Sequence, residues 1–440
     1  MGVKRDIYNQ LLEWKGSKRR KPLVLRGARQ TGKTHILKEF GKKEYDNLCY
    51  FNFEENPKLE GFFSENLQPQ NILENLSIYI GRKIRPTTDL IFFDEIQASN
   101  NALNALKYFE EQAGDFHIVA AGSLLGVKLS APKSFPVGKV NFLDLYPMTF
   151  LEFLDAVGRS EYRSLLEGLD KIAPLPEPLH EELIHLLRKY YFVGGMPEAV
   201  RYYSEQNDFF EVKKIHREII NSYILDFAKH APSSDIPKLT DIWNSIPPQL
   251  ARENKKFMFS AVRKSARARD YEDALLWLDH SGLISRVFLL SACKSPLSGY
   301  FDRSSFKVYL LDVGLLGSMA NVPIAELSQG NALFDEFGGA FVENYVAEQL
   351  TSLWGTSLYY WKNEMGIAEI DFVCEREKTV YPLEVKAGIN VRSRSLKSFE
   401  DRFRPEFLCR ATLKNLKKDG NVINIPLYAV SLHQRLIFGK

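Results

Sequence analysis

Gly27-Ala28-Arg29-Gln30-Thr31-Gly32-Lys33-Thr34 is the stretch that decides the fold of the first third of the chain. It matches the pattern G-x-x-x-x-G-K-[ST] at every fixed position. The apolar run Pro22–Arg26 before it predicts a strand, and His35–Phe40 after it predicts a helix. This is the context of a phosphate-binding loop, and the alternative is a chance match in an ordinary strand–turn–helix.

The residue types at the fixed positions of this loop suit phosphate binding for physical reasons. Glycines let backbone N–H groups close around phosphate oxygens, and the N-terminus of the following helix adds partial positive charge. We predict that Lys33 reaches the β- and γ-phosphates of ATP and that the Thr34 hydroxyl binds Mg²⁺. The predicted nucleotide-binding residues are the eight of the loop, namely Gly27, Ala28, Arg29, Gln30, Thr31, Gly32, Lys33 and Thr34.

An acidic pair ends a second apolar run. Leu90-Ile91-Phe92-Phe93 predicts a buried strand, and Asp94 and Glu95 follow it directly. Ligands bind at the carboxyl ends of strands in open α/β sheets. We therefore predict that Asp94 holds Mg²⁺ through water and that Glu95 activates the attacking water as a general base. A solvated acidic turn is the alternative.

Short apolar runs alternate with helical stretches throughout this part of the chain, which predicts a parallel α/β sheet. The predicted strands are Leu23–Arg26, Leu48–Phe53, Leu90–Asp94 and His117–Gly122. A strand between the loop and the acidic pair is typical of the additional-strand class of P-loop ATPases. Ser123 is a candidate sensor that orients the water, although a small residue that merely ends a strand fits equally well. Arg29 and Lys139 fit either a phosphate contact or a solvated cation.

A second constellation lies near the C-terminus. Residues 368–373 and 381–386 alternate polar and apolar side chains, which predicts a hairpin with its polar groups on shared faces. Asp371 with Glu384 and Lys386 has the pattern of a PD-(D/E)xK nuclease site, in which carboxylates hold Mg²⁺ and the lysine stabilises charge. Glu343, on an amphipathic helix, is a further candidate carboxylate. An exposed polar hairpin face would give the same pattern.

The middle of the chain is mostly helical by period. Met258–Leu290 has the layout of a winged helix, with two helices followed by a strand. The adjoining segment 252–269 is rich in Lys and Arg, which suits contact with DNA phosphates. A solvated charged face is the alternative.

Composition limits the function classes. The chain has 440 residues with 45% hydrophobic and 26% charged, an ordinary globular mix. The formal net charge of +3 gives no global argument for a nucleic-acid partner, so any such partner needs a local patch. The four cysteines form no CxxC pair, and no apolar run approaches the roughly 18 residues of a membrane span. We predict a cytoplasmic protein without a membrane partner.

The order of the motifs resembles prokaryotic AAA-type ATPases that carry a C-terminal domain with a nuclease-like end. The phosphate loop and the acidic strand end carry this resemblance together with further segments, namely Ala121-Gly122-Ser123-Leu124, Leu145-Tyr146-Pro147, residues 191–197, residues 311–315 and Glu384-Val385-Lys386. The resemblance implies an AAA-type ATPase domain over 1–165, a helical and winged-helix region over 175–300 and a restriction-endonuclease-like α/β domain over 301–440. Related ATPases often carry arginine at the position of Lys139, and lysine cannot make the same forked phosphate contact.

Three functional hypotheses follow. The first is Mg²⁺-dependent ATP hydrolysis coupled to a nuclease-like module that acts on or binds DNA, through the segment 252–269 and the C-terminal domain. The second is an ATP-controlled switch or assembly scaffold whose nuclease-like domain is inactive and binds a protein partner or a second copy. The third is a small-molecule kinase, against which Glu95 argues because it is placed to activate water.

Overall fold

A computed structural model describes residues 4–64, 67–123, 138–252, 255–324, 338–355, 357–364, 366–387 and 394–439. The chain divides into two compact units, residues 1–146 with 280–282 and residues 147–279 with 283–440. Leu124 of the motif at 121–124 lies outside the described residues. Within the described part of the chain, no helix is long and apolar enough to cross a membrane.

The first unit is built around a parallel sheet. Its strands are β1 (Leu23–Arg26), β2 (Asn47–Asn52), β3 (Asp89–Asp94), β4 (His117–Ala121) and β5 (Asn141–Asp144). Its helices are α1 (Ile7–Gly16), α2 (Lys33–Glu44), α3 (Gly61–Ser64), α4 (Pro69–Tyr79) and α5 (Asn100–Gln112). The strand order is β2-β3-β4-β1-β5, with parallel pairing throughout. The four predicted strands are confirmed, and β4 is the one that lies between β1 and β3 in the sheet.

The interior strand β3 buries both of its faces. Leu90 and Phe92 pack with Leu37 of α2 on one side, and Ile91 and Phe93 join the core on the other side. Successive side chains of a strand point to opposite faces, so a continuous apolar run is what a sheet covered on both sides requires.

The sequence patterns do not predict β5. Its side chains are half-buried or exposed and form no apolar run. The strand pairs with β1 at the edge of the sheet, where the Arg26 guanidinium donates to both carboxylate oxygens of Asp144 at 2.8 and 2.7 Å.

The second unit begins with helices. They are α6 (Phe150–Ala156), α7 (Ser160–Glu167), α8 (Glu177–Val193), α9 (Pro197–Gln206), α10 (Phe209–His230), α11 (Ile236–Leu250), α12 (Phe259–Val262) and α13 (Ala268–His280). Thr149 and Glu152 form a capping box at the start of α6: the Thr149 hydroxyl accepts from the Glu152 N–H at 3.3 Å, and the Glu152 carboxylate accepts from the Thr149 N–H at 2.9 Å.

Two sheets and further helices follow. The strands are β6 (Ile284–Leu290), β7 (Phe301–Leu310), β8 (Leu358–Lys362), β9 (Glu369–Ile370), β10 (Phe372–Arg376), β11 (Thr379–Val385), β12 (Leu408–Thr412), β13 (Lys417–Asp419) and β14 (Val422–Pro426). The helices are α14 (Val313–Met319), α15 (Gly338–Trp354), α16 (Arg394–Phe403) and α17 (His433–Phe438). The sheet orders are β7-β6-β8-β9 and β10-β11-β12-β14-β13.

The predicted C-terminal hairpin is present. β10 and β11 pair antiparallel, and Glu377 and Lys378 at the turn have φ angles of 50° and 75°. Positive φ at both central positions is what a type I′ turn needs. The chain changes its pairing partner at Asp371, because β9 pairs with β8 while β10 pairs with β11.

Candidate functional sites

The phosphate loop joins β1 to α2 in the predicted way. Gly27 has a φ of 146°, and a Cβ atom there would lie 2.2 Å from the Leu145 carbonyl oxygen. Gly32 has a φ of 95° and precedes the first residue of α2. Both positions therefore require glycine, one for the close backbone approach and both for the positive φ. The N-terminus of α2 then opens at the end of the loop, as an anion site needs.

The Lys33 side chain folds back over the loop. It is buried, and its ammonium donates to the carbonyl oxygens of Gly27 at 2.9 Å and of Ala28 at 2.7 Å. The positive charge is therefore held at the phosphate loop, rather than in the surrounding water.

Thr34 and Asp94 meet at the carboxyl ends of the strands. The Thr34 hydroxyl donates to Asp94 Oδ2 at 2.9 Å, although the two residues are 60 positions apart in the sequence. Hydroxyl and carboxylate oxygens are the hard ligands that Mg²⁺ prefers. This donor set fits Mg²⁺, and Thr34 and Asp94 are the residues that would hold it.

Tyr50 is a member of this site that the sequence patterns do not indicate. Its hydroxyl donates to Asp94 Oδ2 at 2.9 Å, and Lys38 lies over its ring at 3.6 Å. Burial raises the pKa of Tyr50 above its usual value, so the phenol remains a donor. The signal was weak, because Tyr50 lies in an apolar strand where an aromatic residue is expected as core.

Glu95 leaves the strand in a left-handed conformation with φ 49° and ψ 41°. It is half-buried, and its Oε2 accepts from the Gln97 amide at 2.5 Å. Ser123 lies just after β4, which is the neighbour of both β1 and β3, and is buried. Both residues therefore lie at the carboxyl ends of the strands, as the phosphate loop does, since parallel strands end on the same side of the sheet.

Arg5 also contacts the loop without a signal in the sequence patterns. Its guanidinium donates to the Thr31 carbonyl at 3.0 Å and to the Tyr146 carbonyl at 2.6 Å. It thereby ties the loop to the segment that follows β5.

Lys139 does not lie at the phosphate loop of its own chain. Its ammonium pairs with Glu110 at 3.0 Å and Glu111 at 3.1 Å, and it precedes β5. Lys139 therefore lies at the amino ends of the parallel strands, whereas the phosphate loop follows the carboxyl end of β1. The alternative of a solvated, ion-paired cation therefore describes Lys139 within the chain.

The C-terminal constellation is assembled and buried. Glu343 on α15, Asp371 between β9 and β10, and Glu384 on β11 are all buried. Asp371 Oδ2 accepts from the Val385 N–H at 2.8 Å, and the Lys386 ammonium pairs with Glu384 at 2.7 Å. Burial, followed by the charges of Glu343 and Glu384, raises the pKa of Asp371.

Two lysines that the sequence patterns did not single out enter the same cluster. The Lys307 side chain on β7 is only 1% exposed, and its ammonium lies 2.6 Å from Glu369, 3.7 Å from Glu343 and 3.8 Å from Asp371. Lys255 pairs with the other Glu343 oxygen. Burial opposes the charge of Lys307, but the surrounding acidic groups outweigh it and raise its pKa. Among the described residues, no group of three or more His, Cys, Asp or Glu side chains is placed to hold a metal ion.

The motifs at 191–197 and 311–315 meet in a buried network around Asp312. Its two carboxylate oxygens accept from the Gly195 N–H at 2.6 Å and the Leu315 N–H at 2.8 Å. Met148 donates its N–H to the Gly195 carbonyl at 2.7 Å. A Cβ atom at Gly195 would lie 2.1 Å from the Met148 oxygen. The glycine is therefore required by close packing.

Tyr190 and Glu348 extend the network. The Tyr190 hydroxyl donates to the Met148 carbonyl at 2.5 Å and also bonds to Glu348. Burial, with Asp312 nearby, raises the pKa of Glu348 well above its usual value. A protonated Glu348 can donate to the Tyr190 oxygen, which leaves the Tyr190 proton for Met148. We call this set of Met148, Tyr190, Gly195, Asp312 and Glu348 the entry network, because it holds the first residues of the second unit.

The cations of the segment 252–269 divide into two groups, with residues 253–254 outside the described part. Lys255 belongs to the buried cluster, and Lys256 donates to the Ser305 hydroxyl at 3.0 Å. Arg252, which follows α11, is exposed. Four further exposed cations lie between the end of α12 and the first turn of α13, namely Arg263, Lys264, Arg267 and Arg269.

Three segments of the chain match family models. Residues 19–154 match an AAA domain, residues 184–326 a domain of unknown function (DUF8612) and residues 338–429 a domain of unknown function (DUF4143). None of the curated proteins matches this sequence. The AAA match covers the phosphate loop and the acidic pair, so this part of the chain is similar to an AAA domain.

Solved structures of archaeal proteins show distant likeness. The Walker-type ATPase PABY2304 of Pyrococcus abyssi is 15% identical with a TM-score of 0.45, covering 72% of this chain and 96% of that one. ORC1 of Aeropyrum pernix in complex with DNA is 14% identical with a TM-score of 0.30, covering 72% and 92%. Cdc6p of Pyrobaculum aerophilum is 14% identical with a TM-score of 0.28, covering 74% and 97%. Likeness at this level carries no argument about function.

Proposed function

We propose that the first unit binds ATP with Mg²⁺ and hydrolyses it. The observation that carries this proposal is the hydrogen bond of 2.9 Å between Thr34 and Asp94. It unites the end of the phosphate loop with the acidic end of β3, next to the buried ammonium of Lys33. A metal bound by these two side chains would lie within reach of phosphates in the loop.

The roles of the residues follow from their positions. Thr34 and Asp94 would hold Mg²⁺, which when bound would neutralise phosphate charge. Lys33 and the N–H groups of the loop bind the phosphates and stabilise the charge that develops on them. Glu95 takes the proton of the attacking water as a general base, and Ser123 orients that water. Tyr50 holds the Asp94 carboxylate in place.

Replacing Lys33 with alanine tests the nucleotide site. We expect ATP and ADP to bind about 10- to 100-fold more weakly, or about 1.4–2.8 kcal/mol, because the loop loses its one ammonium. Isothermal titration calorimetry of the full chain with Mg²⁺ measures this change. Lys42→Ala, an exposed position on the same helix, is the matched control and should leave the affinity unchanged. A wild-type chain that binds neither nucleotide would refute the proposal.

DNA binding by the second unit is a second candidate function, and the four exposed cations at positions 263–269 favour it. Helices α11, α12 and α13 precede the antiparallel pair β6 and β7, and this order suits a winged helix. The order α15, β8 to β11, α16 and β12 suits a restriction-endonuclease-like domain. In this proposal the AAA-type ATPase domain spans 1–165, the helical and winged-helix region spans 175–300, and the restriction-endonuclease-like domain spans 301–440.

Charge reversal on this segment tests DNA contact. Lys264→Glu with Arg267→Glu should weaken binding to duplex DNA and lower the slope of log affinity against log salt by roughly 2, because each phosphate contact contributes about 0.9. Fluorescence anisotropy at several salt concentrations measures both quantities. Lys171→Glu with Lys418→Glu makes the same change in net charge at other exposed positions. An equal loss in both double variants would indicate a nonspecific charge effect.

The switch hypothesis is the alternative to a nuclease-like role of the C-terminal domain. In it, ATP binding and hydrolysis control an assembly, and the C-terminal carboxylates have no cleavage role. Lys307 and Lys255 support it, because they neutralise the carboxylates that a nuclease would use to hold Mg²⁺.

A further inference from the structure

Three of the four carboxylates of the C-terminal cluster each have an ammonium group as their partner. Lys255 pairs with Glu343, Lys307 with Glu369, and Lys386 with Glu384. The fourth carboxylate, Asp371, accepts the Val385 N–H and lies 3.8 Å from Lys307. Buried carboxylates need such partners, since an isolated charge is strongly disfavoured away from water.

Lys307 has the central place among these groups. Its ammonium lies within 4 Å of three carboxylates that come from α15, β9 and the residue after β9. A divalent cation bound by those same carboxylates would lie between them, where the ammonium is. The two cations would repel each other strongly at such a distance in a site of low dielectric constant.

The Lys307 side chain cannot easily move away from the three carboxylates. It lies on the interior face of β7, which pairs along its length with β6, and its side chain is 1% exposed. Tyr309, two residues on and therefore on the same face of β7, donates to Glu343 Oε2 at 2.9 Å and closes the cluster on that side. The residues present therefore do not fit a metal centre as they are arranged.

We propose that Lys307 is the resident cation of this cluster, in place of a divalent metal, and that the cluster binds neither Mg²⁺ nor Mn²⁺. The second unit is then stabilised at this point by an internal ion-pair network. This inference is independent of ATP hydrolysis by the first unit.

Mn²⁺ binding to the full chain tests the proposal without any nucleotide. All variants carry Asp94→Asn, which removes the carboxylate of the metal pair in the first unit. Free Mn²⁺ is measured by its electron paramagnetic resonance signal during titration. The chain with Lys307 should take up no stoichiometric Mn²⁺, and adding Asp371→Asn should change nothing. Uptake of one Mn²⁺ that Asp371→Asn abolishes would overturn the proposal.

Lys307→Met gives the complementary result. Methionine has similar length without the charge, so the carboxylates are left to attract a cation, and Mn²⁺ affinity should rise by about tenfold or more. Lys362→Met is the control, because Lys362 pairs with Glu369 Oε2 at 3.5 Å, whereas Lys307 contacts the other oxygen at 2.6 Å, and the control should cause no gain. A folded Lys307→Met variant without any gain would contradict the role of Lys307. If that variant does not fold, the comparison with Asp371→Asn decides the question alone.

Discussion

Replacing Glu95 with glutamine should slow ATP hydrolysis by a factor of about 100 to 10,000 while ATP still binds. Glutamine keeps the size of the side chain but cannot accept a proton from water. Glu95 lies half-buried just after Asp94, and its contact with the Gln97 amide holds the carboxylate in one orientation. The proposed nucleotide contacts come from the loop residues, Thr34 among them, so the variant should keep them.

Two measurements separate the chemical step from binding. Phosphate release at saturating ATP reports the rate, and calorimetry with ATP and Mg²⁺ reports the affinity. Glu39→Gln is a suitable control, because Glu39 lies on α2 and pairs with Lys43 at 2.6 Å on the exposed side. If Glu95→Gln hydrolyses ATP at the wild-type rate, the general base lies elsewhere. Equal loss of affinity and rate would indicate instead that Glu95 shapes the binding site.

The parallel sheet of the first unit could be predicted because its evidence is local. A glycine-rich loop between a strand and a helix depends on backbone conformation, and the residues that permit it are adjacent in the sequence. β3 is predictable for the same reason, since burial on both faces leaves an unbroken apolar run. β5 escapes prediction because an edge strand with exposed side chains carries no such run.

The site residues that the sequence patterns did not indicate depend on long-range contacts. Arg5 and Tyr50 reach their partners only once the sheet has brought distant segments together. The sequence does contain one signal for Lys307, because a lysine between two apolar residues, Phe306 and Val308, is unusual at a buried position of a strand. The pattern could not say that three carboxylates would surround it, since these come from segments 36 to 64 residues away.

Hydrogen bonds and close packing within each unit account for motifs to which the sequence patterns assign no chemistry. Tyr146 ends the first unit and accepts a hydrogen bond from Arg5, which also holds Thr31 of the phosphate loop. Two residues later, Met148 is held by the entry network. The glycines at 194 and 195 serve close packing, because a Cβ atom at Gly194 would lie 2.3 Å from Asp312 Oδ1 and one at Gly195 would lie 2.1 Å from the Met148 oxygen.

The entry network should therefore be the most sensitive point of the second unit to substitution. Asp312→Ala should destabilise it by roughly 2–5 kcal/mol, because the buried N–H groups of Gly195 and Leu315 would lose their acceptor and each loss costs about 1–3 kcal/mol. Urea denaturation followed by tryptophan fluorescence measures the effect. Four of the five tryptophans, at positions 243, 277, 354 and 361, belong to the second unit.

Asp208 provides a matched control for this effect. It too precedes a helix and accepts backbone N–H groups, from Phe210 at 2.8 Å and Glu211 at 3.3 Å, but it is partly exposed. Water can replace its carboxylate, so Asp208→Ala should cost only about 1 kcal/mol. Asp312→Asn keeps a single acceptor and should fall between the two. Equal costs for Asp312→Ala and Asp208→Ala would mean that Asp312 is an ordinary helix cap and that the contact to Gly195 contributes nothing.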